Sequence, residues 1–302
     1  MKKFPVFSSS SKLIASFLFV ISCNNLVSQD DMLSMADNGK KQKDYVYATF
    51  KSTRNINFHT CEVVGRRSLD FRISHRFGSM NSGTYNAWGL DQTANVRLGL
   101  EYSPDGRFMV GIGRSSYEKM TDGFVKFKIL RQTSDNRQPV TITWFSSMYC
   151  TWLKDDQKAT TGIDRYAHFE HRLSYVHQLI IGRKFGSRFS LQVAPAYVHY
   201  NLVQKLTDKN DLFLITGLAR FKVTQRIALT FEYAYRLNNY SRDKFYDSMG
   251  AGIDIETGGH VFQVHVVNSF GMCENQYFMY TNSAWNNVGI RLGFNISRVF
   301  AL

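Results

Sequence analysis

Residues 227–236 read Ile-Ala-Leu-Thr-Phe-Glu-Tyr-Ala-Tyr-Arg, and the period of this stretch decides the fold. Ile227, Leu229, Phe231, Tyr233 and Tyr235 alternate with Ala228, Thr230, Glu232, Ala234 and Arg236. Successive side chains of a strand point to opposite faces, so one face is continuously apolar and the other carries charge. Residues 69–74, 96–102 and 288–296 repeat the pattern, with Leu, Ile, Val, Phe and Tyr on one side and Arg, Glu, Asp, Thr or Gly on the other. No comparable stretch fits a helical period of 3.6.

Working outward, alternation predicts strands over 67–77, 93–103, 107–117, 122–132, 139–150, 168–184, 188–200, 211–223, 226–237, 248–257, 260–269 and 287–300. Ordinary globular strands average about 5–6 residues, whereas a tilted membrane strand needs ~9–11. The connections carry a second rhythm. Links at 103–106, 133–138, 185–187, 224–225 and 257–259 are short, and those at 78–92, 151–167, 201–210, 238–247 and 270–286 are longer; 118–121 is the exception. Outer-membrane barrels alternate short periplasmic turns with longer external loops in this way. The expected fold is therefore all-β: an antiparallel transmembrane β-barrel of about twelve strands over residues 66–302. Aromatic residues near strand ends (Phe71, Phe77, Tyr102, Phe108, Tyr233, Tyr235, Phe294 and Phe300) suit interface girdles.

Residues 1–28 read as a secretory signal, with Lys2, Lys3 and Lys12 around an apolar run at 13–21. That run is too short to span a bilayer as a helix. Two processing sites compete: Val20-Ile21-Ser22-Cys23, which would place a lipid on Cys23, and cleavage near Val27-Ser28-Gln29. Ordinary cleavage is favoured, because a spanning barrel needs no lipid anchor. Its removal lowers the formal charge from +13 to about +10. Cys61, Cys150 and Cys273 remain; none forms a CxxC pair, so they read as small buried hydrophobes. Residues 29–65 form an N-terminal segment whose Tyr45-Val46-Tyr47-Ala48-Thr49-Phe50 run is strand-like. A thirteenth strand would break the even count, so the segment is expected to fold into or beneath the barrel mouth.

Several runs resemble one family: 48–54, 69–78, 89–91, 110–115, 173–178, 253–263 and 293–298, the last two reading Ile-Asp-Ile-Glu-Thr-Gly-Gly-His-Val-Phe-Gln and Gly-Phe-Asn-Ile-Ser-Arg. Together they resemble a Bacteroidota family of β-barrel proteins catalogued as a domain of unknown function, over roughly residues 46–302. The resemblance implies an outer-membrane barrel of a Gram-negative bacterium. It brings no activity and no catalytic residues.

Alternation assigns to the lumen Arg72, Arg76, Arg97, Glu101, Lys126, Lys128, Glu232, Arg236, Asp254, Glu256 and Arg291, with Asp70, Gln263 and His265 beside them. Placing an Arg or Lys on the lipid face at mid-membrane would cost ~2–4 kcal/mol, which pins the register. These charges read either as a pore surface that screens solutes or as ion pairs that fill and brace the lumen. For Glu232 with Arg236, and for the acids of the tenth strand, mixed signs favour bracing. Asp254, Glu256, His260 and His265 are brought near by one hairpin, yet nothing fixes three convergent metal ligands. His177 falls on the apolar face, which points to a bulge or a slipped register in the sixth strand.

Ser74 and His75 are adjacent and cannot pair within a strand, and GxSxG, HExxH and phosphate-loop motifs are absent from the sequence. Dispersed cations on an exported chain do not suit nucleic acid. The leading expectation is a non-enzymatic, narrow solute channel without cofactor or metal. A plugged scaffold docking a periplasmic or surface partner stands second, and a barrel-embedded lipid or glycan enzyme third. Outer-membrane lipid and the barrel-assembly machinery are the expected partners.

Overall fold

The structure, a computed structural model, describes residues 44–155, 165–203, 208–238 and 245–302, all within one compact unit spanning Lys43–Leu302. The signal segment 1–28, Cys23 and residues 29–43 lie outside the described residues. Twelve strands make one closed antiparallel sheet: β1 Ser68–Arg76, β2 Asn95–Ser103, β3 Phe108–Ser115, β4 Met120–Leu130, β5 Thr141–Thr151, β6 Leu173–Lys184, β7 Phe189–Tyr200, β8 Asp211–Lys222, β9 Ile227–Arg236, β10 Met249–Thr257, β11 His260–Val267 and β12 Arg291–Ala301. Each strand pairs with its sequence neighbours, and β1 closes the ring by pairing with β12 from Ser68↔Ala301 to Arg76↔Gly293. Closure leaves no unpaired edge, which is what a sheet in hydrocarbon requires.

Burial runs opposite to that of a water-soluble protein. On β1 the buried residues include Asp70, Arg72, Ser74 and Arg76. Leu98, Leu100, Ile112, Phe127, Trp144, Leu191, Val193, Phe213, Phe231 and Val264 are exposed on the outer wall. An apolar belt of this extent would be an aggregation hazard in water and is solvated by acyl chains in a membrane. No described helix is long and apolar enough to cross a membrane, so the strands alone form the wall.

The expected strands all appear, with ends shifted by a few residues. The largest shift is at β6, where 168–172 leaves the ladder because Phe169–Arg172 close a 3-10 turn. His177 does face outward, and the register of β6 against β5 and β7 is continuous around it. The slip expected there is thus replaced by a cross-strand partner: Ser146, directly opposite, lies 2.8 Å from His177 Nδ1.

The inner wall has two halves. From β9 round to β4 it carries most of the charges, with Arg220 of β8 beside them. From β5 to β8 it carries Phe145, Tyr149, Val176, Ile180, Ala194, Val198, Leu212, Leu214 and Leu218, all buried. These side chains belong to one apolar cluster that also contains Phe50, Phe58, Cys61, Tyr277, Phe278 and Met279, which the wall does not supply. The barrel therefore has a core, and two chain segments fill it.

Candidate functional site: a lumen filled from both ends

The first segment enters at the mouth bounded by the short turns. Tyr45 bridges to Thr133 of the 131–140 turn, and Val46 N–H donates to the Gln132 carbonyl at 2.9 Å. Residues 49–61, apart from the exposed Lys51, are then buried inside the barrel as a hairpin, bridged at Arg54↔His59, with Asn55 N–H donating to the Phe58 carbonyl at 2.9 Å. An irregular backbone at membrane depth must have its polar groups satisfied by protein. The wall does this with side chains. Glu232 accepts from the backbone N–H of Asn57 at 3.0 Å and of Phe58 at 3.1 Å. Lys126 Nζ donates to the carbonyls of Thr53, Thr60 and Glu62 at 3.1, 3.0 and 2.8 Å. Gln192 accepts from Cys61 N–H and donates to the His59 carbonyl, both at 2.8 Å. Asn295 donates to the Ile56 carbonyl at 2.9 Å, and Thr143 to that of Cys61 at 2.8 Å.

The second segment descends from the opposite end. The β11–β12 loop, 268–290, folds inward around a short helix, α1 Glu274–Met279, every residue of which is buried. Its first turn meets the hairpin: Glu274 pairs with Arg54 Nη1 at 2.8 Å and accepts from the Tyr149 hydroxyl at 2.5 Å. Tyr277 stacks on Phe58 with ring centroids 5.4 Å apart and donates its hydroxyl to the Asn57 carbonyl at 3.3 Å. The two segments thus clasp one another through an ion pair and an aromatic stack.

The charged residues assigned to the lumen from sequence take different partners. Arg72 and Arg76 hold the hairpin, Arg72 through Ser52 and Arg76 through Asn57 Oδ1 at 3.0 Å. Glu101 takes the Thr53 hydroxyl at 2.5 Å and lies 3.6 Å from Arg54. Arg97 donates from two nitrogens to Asp122 of β4, a residue that sequence reasoning did not single out. Gly113 makes room for this pair, since a Cβ there would sit 2.2 Å from Arg97 Nη2. Lys128 meets Glu62 at 2.8 Å where the hairpin leaves the mouth. Glu232 and Arg236 do not pair: Glu232 holds the hairpin, and Arg236 reaches Asp247 at 2.9 Å in the β9–β10 loop. Both lie on one strand, four residues apart and out of each other's reach, so each takes its partner from outside that strand. The acids of β10 do brace the wall, with Arg220 2.6 Å from Glu256 and 3.7 Å from Asp254, and Lys51 3.2 Å from Glu256. Arg291, half-buried at the other rim, lies over the Phe270 ring at 4.8 Å.

Cys61, Cys150 and Cys273 are free and buried. Among the described residues no group of three or more His, Cys, Asp or Glu side chains is arranged to hold a metal. At the rim, burial pushes the Glu118 carboxyl up, against the pull of the Gln276 amide that donates to it at 2.9 Å.

Residues 50–300 match the model of a family described as a membrane bound beta barrel domain (DUF5777). The chain belongs to this family. The match begins within the hairpin, so the filling segment is part of the family's domain. A membrane-bound barrel with an even strand number, whose first strand starts and last strand ends at the short-turn mouth, is an outer-membrane protein of a Gram-negative bacterium. No curated protein matches the chain. Among solved structures, the NanC porin is similar at 9% identity and TM-score 0.48, over 78% of this chain and 99% of that one. The KdgM porin is similar at 11% identity and TM-score 0.42, over 78% and 99%. An outer membrane channel from Pseudomonas putida F1 is similar at 11% identity and TM-score 0.42, over 80% and 98%. The likeness is one of barrel architecture, and no solute passes from those proteins to this one.

Proposed function

We propose that the protein is a non-enzymatic outer-membrane solute channel of Bacteroidota, held closed by its own N-terminal hairpin. One observation carries this reading. The hairpin forms no ladder with the wall and is held instead by side chains of the lumen, chiefly Glu232, Lys126 and Gln192. Twelve strands enclose more space than their own side chains fill, so a separable segment does the filling. When it leaves, the same charged groups line a narrow aqueous path and screen what enters. Vesicles carrying the folded Lys126→Met/Glu232→Gln variant are expected to swell in small sugars or amino acids faster than wild-type vesicles. Equal impermeability of the two would sink the proposal.

A second reading, a barrel that docks a periplasmic partner, is favoured by the strap at Asp44–Tyr45. The Asp44 carbonyl accepts from Ser134 N–H at 2.9 Å, which ties the chain to the periplasmic rim where a partner could grip it. Crosslinking from residue 44 that captures no second protein in intact cells would remove it. The enzyme reading has little support. Ser146 and His177 are 2.8 Å apart, but they face lipid, no carboxylate among the described residues orients the imidazole, and the nearby N–H groups are committed to the ladder.

A further inference from the structure

The mouth bounded by the short turns holds a cavity of about 400 Å³. It lies between the entering strap, the outgoing limb of the hairpin, the β2–β3 turn and the end of β4. Phe50, Val63 and Val64 give it an apolar floor, and Lys51, Arg66, Arg107, Lys128 and Arg131 line it.

These five cations are not equally engaged. Lys128 is paired with Glu62 at 2.8 Å and Lys51 with Glu256 at 3.2 Å. The Arg131 guanidinium lies 4.1 Å from the centroid of the Tyr45 ring. Arg66 and Arg107 have no ion pair among the described residues, and both are exposed to the cavity's solvent. The fold brings them together. Gly106 has φ +77°, and a Cβ there would come within 3.4 Å of the Arg66 nitrogen, so the β2–β3 turn abuts the Arg66 backbone. On the other side of the same turn, Lys128 N–H donates to the Arg107 carbonyl at 2.9 Å. Asp105, the one acid of this turn, is already occupied: its carboxylate accepts from Phe108 N–H at 2.7 Å and Arg107 N–H at 2.8 Å, and these bonds hold it below the usual carboxylate range.

We infer that this cavity is a binding site for a small phosphorylated solute, with Arg66 and Arg107 as its phosphate ligands. Guanidinium groups meet phosphate oxygens in two-pronged fashion, and two of them at one cavity suit a diphosphate or phosphomonoester better than a single carboxylate. The volume falls in the range of small-molecule sites, and the apolar floor takes the organic body. A lipid headgroup presents the same phosphate chemistry. The lining comes from the strap, the outgoing limb of the hairpin, the β2–β3 turn and the end of β4 at the mouth rather than from the apolar outer wall, which favours a solute arriving from the periplasm. The site stands or falls independently of conduction.

Isothermal titration of the folded, detergent-solubilised protein with pyrophosphate at physiological ionic strength tests it. Wild type is expected to show saturable binding that weakens as salt is raised. The Arg66→Gln/Arg107→Gln variant, shown to be folded by its heat-modifiable mobility, is expected to bind at least tenfold more weakly. Arg188→Gln, on the β6–β7 turn, is expected to bind as wild type does. No binding by wild type, or undiminished binding by the double variant, overturns the site. Repeating the titration in phosphatidylcholine and phosphatidylglycerol nanodiscs separates the sources. Equal binding in both supports the soluble solute, and loss in phosphatidylglycerol alone overturns it in favour of a lipid phosphate.

Discussion

Replacing Glu232 by Gln perturbs the point where the wall grips the tip of the hairpin. In the wild type the carboxylate accepts from two consecutive N–H groups, at 3.0 and 3.1 Å, within a wholly buried setting. A carboxamide has nearly the same shape but no charge, and only one of its two heads accepts. The Asn57 N–H, 3.0 Å from both carboxylate oxygens, then faces an amide donor on one side. The change removes at least one charge-assisted bond, worth about 1.5–3 kcal/mol. That lowers the ratio of seated to unseated hairpin by roughly 10- to 100-fold, at about 1.4 kcal/mol per tenfold. Amide hydrogen exchange on a peptide covering residues 50–64 reads this ratio directly, because Asn57 and Phe58 exchange only when the tip is released. Glu232→Gln is expected to accelerate that peptide by 10- to 100-fold while leaving strand peptides unchanged. Unchanged protection of the hairpin would refute the argument that Glu232 seats it.

Three further outcomes follow from the same contacts. Gly113→Val drives a side chain into the Arg97 guanidinium and should break the buried Arg97–Asp122 pair, lowering stability by about 3–5 kcal/mol in urea titrations of the folded barrel. A double-mutant cycle of Arg54→Met and Glu274→Gln should give a coupling of about 1–3 kcal/mol in hairpin exchange, and additive effects would show that this ion pair does not couple the two filling segments. Val193→Arg, on the outer face of β7, should cost ~2–4 kcal/mol in folding into bilayers but little in binding pyrophosphate; equal folding would place Val193 away from lipid.

The barrel was legible because its wall obeys one rule. Where one face meets lipid and the other meets charge, as in residues 227–236, period-two alternation is unambiguous. The rule blurs on β5–β8. Residues 212–215 read Leu-Phe-Leu-Ile without a break, and Leu212 and Leu214 prove to be buried while Phe213 and Ile215 face outward. An unbroken apolar strand is the mark of burial on both faces, and it was the one available sign that this half of the lumen packs against something. The identity of that filler was less accessible. The aromatic run at 45–50 signals ordered packing, but the partners of Glu232 and Lys126 are main-chain atoms, which every residue carries and no pattern marks. The inward helix at Glu274–Met279 was missed for a related reason: six residues are too few for a helical period to register. The separate partners of Glu232 and Arg236 show the same limit, since alternation fixes the face of a side chain and leaves its partner open.

Single-channel recording from the folded protein, side by side with a variant whose residues 49–64 are replaced by a flexible Gly-Ser linker, tests the central claim most directly. Both must show the mobility shift on boiling that marks a folded barrel. The account predicts a wild type that is silent for most of the record and a linker variant that conducts steadily. A folded linker variant as silent as the wild type would contradict it.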